Sequence, residues 1–165
     1  MIASVRQPLN DYDSALGQGY SNIAFMRSKL PDWEGTEKAC ARAMEEHDKT
    51  IATYRASGSS DVRFSKAMAM YWLALAYANQ RKQDLALSAA DNAFQYTAQL
   101  HNPAQLARMI ADLGLQEAKA SRQQELITTW QNRLSDLPAD PCPAPNIHNP
   151  NCITPVPDAP GQPAR

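Results

Sequence analysis

Cysteine is scarce in this chain of 165 residues, with three in all, and their layout excludes a disulfide framework. Cys40 falls in a helical pattern, while Cys142 and Cys152 lie in a proline-rich stretch near the end. No charge of one sign dominates. Sixteen Lys and Arg against 17 Asp and Glu leave a formal net charge of -1, so no global field draws the chain to nucleic acid or to an anionic membrane. Long hydrophobic runs are missing too. The most apolar stretch, Ala67 to Ala78, is far shorter than the roughly 20 residues of a spanning helix, which argues against membrane insertion. The opening residues Met-Ile-Ala-Ser-Val-Arg-Gln-Pro lack the basic segment and apolar stretch of a signal peptide, so the expectation is a cytoplasmic protein. A periplasmic or secreted chain whose signal has been removed would read the same way. There is no phosphate-cradling glycine loop, no Gly-x-Ser-x-Gly and no His-Glu-x-x-His. With no acid–base pair or nucleophile nominated, the expectation is a non-enzyme without a cofactor or a metal.

What the chain has is helical periodicity. Its centre, Ala67-Met-Ala-Met-Tyr-Trp-Leu-Ala-Leu-Ala-Tyr-Ala78, holds no charge between Lys66 and Arg81. Two stripes run through it: Phe64, Met68, Tyr71, Leu75 and Ala78, then Met70, Leu73, Ala74 and Tyr77. A helix apolar on two faces must be covered on two sides and belongs in the middle of a helical stack. Before it, residues 1–9 read as a flexible arm and a first helix opens at Asn10 or Asp11, with Tyr12, Leu16, Tyr20, Ile23 and Arg27 on one face. Gly17 and Gly19 in one turn suggest a close helix–helix approach or a weak helix. Pro31 ends it. A second helix starts at Trp33 or Thr36 and runs to Arg55, with the stripe Cys40, Met44, His47, Ile51 and Tyr54. Its other face carries opposite charges four residues apart, a solvated surface.

After the turn Ser57-Gly-Ser-Ser-Asp61, the central helix is capped by Ser60 or Asp61. Asp84 is expected to cap a fourth helix reaching Leu100, rich in alanines that allow close crossing. Asn102-Pro103 opens a fifth, and Ser121-Arg-Gln-Gln124 reads as a capping box opening a sixth. A single helix over 103–135, bent at Gly114, is the alternative; two helices are preferred. From Pro138 the composition changes. Residues 138–165 hold nine of the 12 prolines and cannot build a core, so they read as a disordered tail.

Individual side chains offer little chemistry. His47 sits on a core stripe and reads as a semi-buried histidine with a hydrogen-bond partner. Cys142, His148 and Cys152 lack the tight spacing of a zinc site. The two cysteines are either unpaired thiols or a disulfide that needs an oxidising compartment. Cys40 reads as a small buried apolar residue. Tyr71 and Trp72 are flanked by apolar residues, and Arg81-Lys82 is too small a cluster for phosphates, so no nucleic-acid partner is expected.

Leu73-Ala74-x-x-Tyr77, followed by Ala86, Ala90 and Ala93, with Met70 three before Leu73, resembles the packing signature of a tetratricopeptide repeat over about Ala67 to Leu100. Arg81 stands where Gly or Asn is common in that turn. Leu16-Gly17-x-x-Tyr20 repeats the first-helix part, at a distance that requires longer helices in the first unit. Leu106, Met109, Ile110 and Leu113 repeat the apolar spacing of a third unit without the Tyr. The resemblance implies an all-α fold: antiparallel helix pairs stacked as a short array of about six helices over 10–137. It further implies an adaptor or small chaperone that binds a segment of another protein on the surface made by the first helix of each pair. Asn22, Asn79 and Arg108 are the candidate partner-binding residues. The alternative is a structural subunit of a larger assembly, periplasmic or secretion-related, tethered by the proline-rich tail. Association with a second copy is left open.

Overall fold

The computed structural model describes residues 7–53, 60–101 and 103–138. Every regular element among them is a helix: α1 (Gln7–Lys29), α2 (Trp33–Thr53), α3 (Ser60–Asn79), α4 (Gln83–Thr97), α5 (Ala104–Ala120) and α6 (Gln124–Asp136). The expectations for residues 139–165, including Cys142, His148 and Cys152, lie outside the described residues, as do Asn102 and Tyr54.

The two-faced stretch forms α3, which packs against α1, α2 and α4 and touches α5. Its alanines make that central position feasible. Ala67, Ala69, Ala74 and Ala76 are all fully buried, so neighbouring helices can approach the backbone from more than one side. Phe64, Met68, Tyr71 and Leu75 pack partly buried against a cluster built on Ala90, Leu106, Ile110 and Trp130. Trp72 and Leu73 pack instead against Ala24, Ala39 and Cys40 of the first pair. Ala86, Ala90 and Ala93 of α4 are likewise fully buried.

Three hairpins, α1–α2, α3–α4 and α5–α6, are closed by one turn geometry. The amides of Asp32, Lys82 and Gln123 each donate to the carbonyl five residues back, on Arg27, Tyr77 and Ala118. Thr36, Ala86 and Ile127 then start the second helix by donating to the carbonyls of Asp32, Lys82 and Gln123. Arg81 and Arg122 stand in the left-handed region at φ 59 and 58, the conformation that closes such a helix end. The first pair is the longest, with helices of 23 and 21 residues against 20 and 15 in the second and 17 and 13 in the third.

Several helix ends differ from expectation. The first helix begins at Gln7, so residues 7–9 belong to α1 and not to the expected arm, whose residues 1–6 lie outside the described residues. Pro8 is compatible with this because first-turn amides have no intrahelical acceptor. Asp32 caps α2, its Oδ1 accepting from the Gly35 amide at 2.9 Å. Asp84 does not cap α4. It lies inside the first turn, where its charge suits the positive helix end, and Lys82 holds the cap position without a side-chain capping bond. Ser121 does not open α6; it closes α5, its Oγ donating to the Ala118 carbonyl. The fourth helix stops at Thr97, short of Leu100. Helices α5 and α6 are separate, and Gly114 lies within α5, where no bend is needed to explain it. The Trp130 indole packs over it so closely that an added Cβ would lie 2.4 Å from Cε2.

Candidate functional site

The helices form two layers. α1, α3 and α5 touch in succession, while α2 packs on both α1 and α3, and α4 on both α3 and α5. Among the described residues, α2, α4 and α6 make no backbone approach to one another. The odd-numbered helices therefore make one continuous row. Ser65 of α3 bonds Gln18 of α1 at 2.8 Å across it, and Phe25 of α1 meets Trp72 of α3 with ring centroids 5.6 Å apart. On the other side, burial pushes the Tyr71 phenol pKa up and Asp112 of α5 adds to it.

Asn22, Asn79 and Arg108 fall one on each helix of this row. Asn22 is exposed and accepts from Gln18 Nε2 at 3.1 Å. Asn79 is exposed at the end of α3, where its Nδ2 donates to the Leu75 carbonyl. Arg108 is half-buried and donates to the Pro138 carbonyl at 2.8 Å, so it holds the chain leaving α6. No hydrogen bond or ion pair joins any two of the three among the described residues.

The face of α1 expected to pack is turned outward. Gly17, Ser21 and Ala24 are the buried positions, and they are small. Leu16, Ile23, Met26 and Leu30 are 36%, 44%, 59% and 74% exposed. An apolar cleft of about 310 Å³ lies on this face, lined by Ala15, Leu16, Gly19, Tyr20 and Ile23. The inward face explains the choice of small residues. His47 of α2 is 1% exposed and sits directly over Gly17, where an added Cβ would come within 2.6 Å of Nδ1. Gly19 has open space around it, so only one of the two glycines marks a close approach.

His47 and the buried Ser21 share a hydrogen bond, Oγ to Nε2 at 3.1 Å, while Nδ1 has no protein partner. Burial lowers the His47 pKa; Asp48 opposes that shift and Lys66 reinforces it. A protonated ring would bury a second N–H without an acceptor, so the neutral ring is the form that packs. Cys40 is fully buried, and burial, with a smaller push from Glu37, raises its thiol pKa to about 12. At neutral pH it is a packed thiol rather than a nucleophile. Glu37 links the first two hairpins. Burial works against its charge, but the bonds from Lys82 at 3.0 Å and Gln80 at 3.1 Å prevail and lower its pKa.

A second cluster ties α4 to α6, and sequence reasoning missed it. Arg133 donates to Asp91 at 2.6 Å and lies over both Trp130 and Phe94, 4.3 and 4.9 Å from their centroids. Gln95 donates to the other Asp91 oxygen. These groups satisfy one another around a cleft of about 210 Å³. Among the described residues, no three His, Cys, Asp or Glu side chains gather in a way that could hold a metal. None of the described helices is long and apolar enough to cross a membrane.

No protein-family model, curated protein or solved structure matches the chain.

Proposed function

We propose that this protein is a non-catalytic interaction scaffold, an adaptor or small chaperone that holds a segment of another protein against the row formed by α1, α3 and α5. The observation that carries this reading is the row itself. Three helices in succession offer side chains to one face, while the even-numbered helices support them from behind. This is also the surface that the tetratricopeptide-like spacing of Leu73, Ala74, Tyr77, Ala86, Ala90 and Ala93 implies for binding. The buried titratable groups favour it over catalysis: His47 and Cys40 are held in neutral, packed forms. Recognition is expected to use the exposed polar positions Asn22 and Asn79 on α1 and α3, and Arg108 on α5.

The test is a quantitative pull-down from the source cell, comparing the wild-type chain with an Asn22→Arg, Asn79→Arg double variant. Both positions are exposed, so folding should persist. Loss of a defined partner set supports the reading; identical partners from both baits sink it. A structural subunit tethered by its proline-rich tail is the second reading. The bond from Arg108 to the Pro138 carbonyl favours it, because it fixes where the tail leaves the scaffold. Deleting residues 139–165 should leave segment binding intact under the first reading and abolish assembly under the second.

A further inference from the structure

We infer that the outward face of α1 is a self-association surface, on which two copies of this chain pair their first helices antiparallel about a two-fold axis near Tyr20. The inference does not depend on the partner surface proposed above.

The first observation is the inverted character of α1. Its buried positions, Gly17, Ser21 and Ala24, are small, while the large Leu16, Ile23 and Met26 face outward, continued by Leu30 just past the helix end; Phe25 leans against Trp72 of α3. Leu16, Ile23 and Leu30 recur every seven residues, with Gly19 and Met26 three after the first two. In sequence the same spacing reaches back to Leu9 and Tyr12. A seam repeating at three and four residues is the pattern by which one helix packs along another. The occupant this face calls for is therefore a helix.

The second observation is the contrast between the two ends of the stack. In the interior, α2 covers α3 and α4 covers α5. No described helix covers α1 in the corresponding way. At the far end, α6 turns its apolar Trp130 inward and shows Glu125, Thr128, Gln131, Asn132 and Ser135 outward. One end is finished with polar residues, as a terminal repeat must be, and the other is not. A head-to-tail stack of copies would press the apolar end of one against the polar end of the next. Only the isologous arrangement, α1 on α1, matches apolar to apolar, and it closes as a dimer.

The third observation sets the direction. By sequence position the charges of α1 are Asp11 and Asp13 in its first half, and Arg27 and Lys29 in its last turn; Arg27 also pairs with Asp32 of its own chain at 2.9 Å, so Lys29 is the main basic group left for a second copy. Parallel pairing would set like against like. Antiparallel pairing sets each acidic half beside the other copy's basic half. Positions 11 and 29, and 13 and 27, are equally far from Tyr20, and the same axis brings Leu16 of one copy beside Ile23 of the other.

The full-length chain should sediment as a concentration-dependent dimer between about 1 and 50 µM in analytical ultracentrifugation. Ile23→Glu combined with Met26→Glu should weaken it by about 100-fold or more, with far-UV circular dichroism and the melting curve still those of a folded helical domain. Lys29→Asp should weaken the dimer about 10-fold, and adding Asp11→Lys should restore most of that loss. A wild-type chain that stays monomeric across the range overturns the inference. So does one that dimerises only once residues 139–165 are removed, since the tail would then be the occupant. A dimer indifferent to the double glutamate variant overturns the surface, and failure of the second charge reversal to rescue the first overturns the antiparallel pairing.

Discussion

Two glycines in one turn of α1 should respond to alanine with opposite signs. In a helix, Gly→Ala removes a conformational cost of about 1 kcal/mol, because alanine has far less backbone freedom to lose. At Gly19 nothing lies within 4 Å of the added methyl, so that gain should appear nearly whole: Gly19→Ala stabilises by about 0.5–1 kcal/mol. At Gly17 the methyl would sit 2.6 Å from Nδ1 and 2.7 Å from Cε1 of His47. The ring is 1% exposed and cannot swing into solvent, so it must shift between two packed helices. Overpacking of that kind costs about 1–3 kcal/mol. Pulling the ring off Ser21 costs about another 1 kcal/mol. Against the same propensity gain, Gly17→Ala should destabilise by about 1–3 kcal/mol, leaving the two variants about 2–4 kcal/mol apart. Urea titrations followed by far-UV circular dichroism give both values, provided all proteins are compared at one low concentration where association does not contribute. Slopes should stay alike and midpoints move in opposite directions. If Gly17→Ala equals or exceeds Gly19→Ala in stability, α1 and α2 do not cross at His47.

Three further outcomes follow from the same structure. Arg81→Gly and Arg122→Gly should each stabilise by about 0.5–1 kcal/mol in denaturant titrations, because both arginines hold a left-handed backbone that glycine adopts freely. The gains should add, since the two turns belong to different hairpins; a loss at either position would show that the arginine side chain matters more than its backbone. Burial holds the folded-state pKa of His47 below its ordinary 6.5, so between the two values the unfolded chain binds the extra proton. Its contribution to stability is therefore complete above about pH 6.5 and falls away below it, and the wild-type urea midpoint should drop between about pH 7.5 and 5.5 more than that of His47→Gln. Cys40, with its thiol raised to about 12, should remain unmodified when the native protein is treated with a maleimide at neutral pH and react once urea unfolds it, as peptide mass mapping would read.

The order of helices was legible because each carries a period near 3.6 and is separated from the next by a chain-breaking or capping residue. The central place of α3 was legible because two stripes, one led by Phe64 and one by Met70, cannot be covered by one neighbour. The caps were less so. Asp84 and Ser121 are good cap residues by type, yet each hairpin is closed by the αL turn at the preceding helix's end, and that turn decides where the next helix starts. The Arg133 cluster was not legible. Asp91 and Arg133 lie 42 positions apart, on helices whose backbones do not touch, and no local spacing signals their meeting. Asn22, Asn79 and Arg108 are polar positions off the stripes. That pattern places them on the three odd-numbered helices but does not foresee that Arg108 is held by Pro138.

The face of α1 shows most plainly what periodicity omits. Alternation of large apolar and small residues tells that a helix has two unlike sides; it does not tell which side is inside. On α3 the large residues Phe64, Met68, Tyr71 and Leu75 and the alanines share the interior, because the helix is surrounded. On α1 the two kinds separate. Once His47 lies over Gly17, the interhelical space there admits only Gly17, Ser21 and Ala24, and Leu16, Ile23 and Met26 are forced to the other side. Removing such side chains from water is worth about 1.5–3 kcal/mol each when complete, and with Leu16, Ile23 and Met26 at 36%, 44% and 59% exposure the monomer forgoes about half of that at these positions. The tight crossing of the first hairpin and the apolar face that a second copy would cover are thus one arrangement. A change that loosens the Gly17–His47 contact should disturb both stability and self-association, whereas one confined to the outer face should disturb association alone.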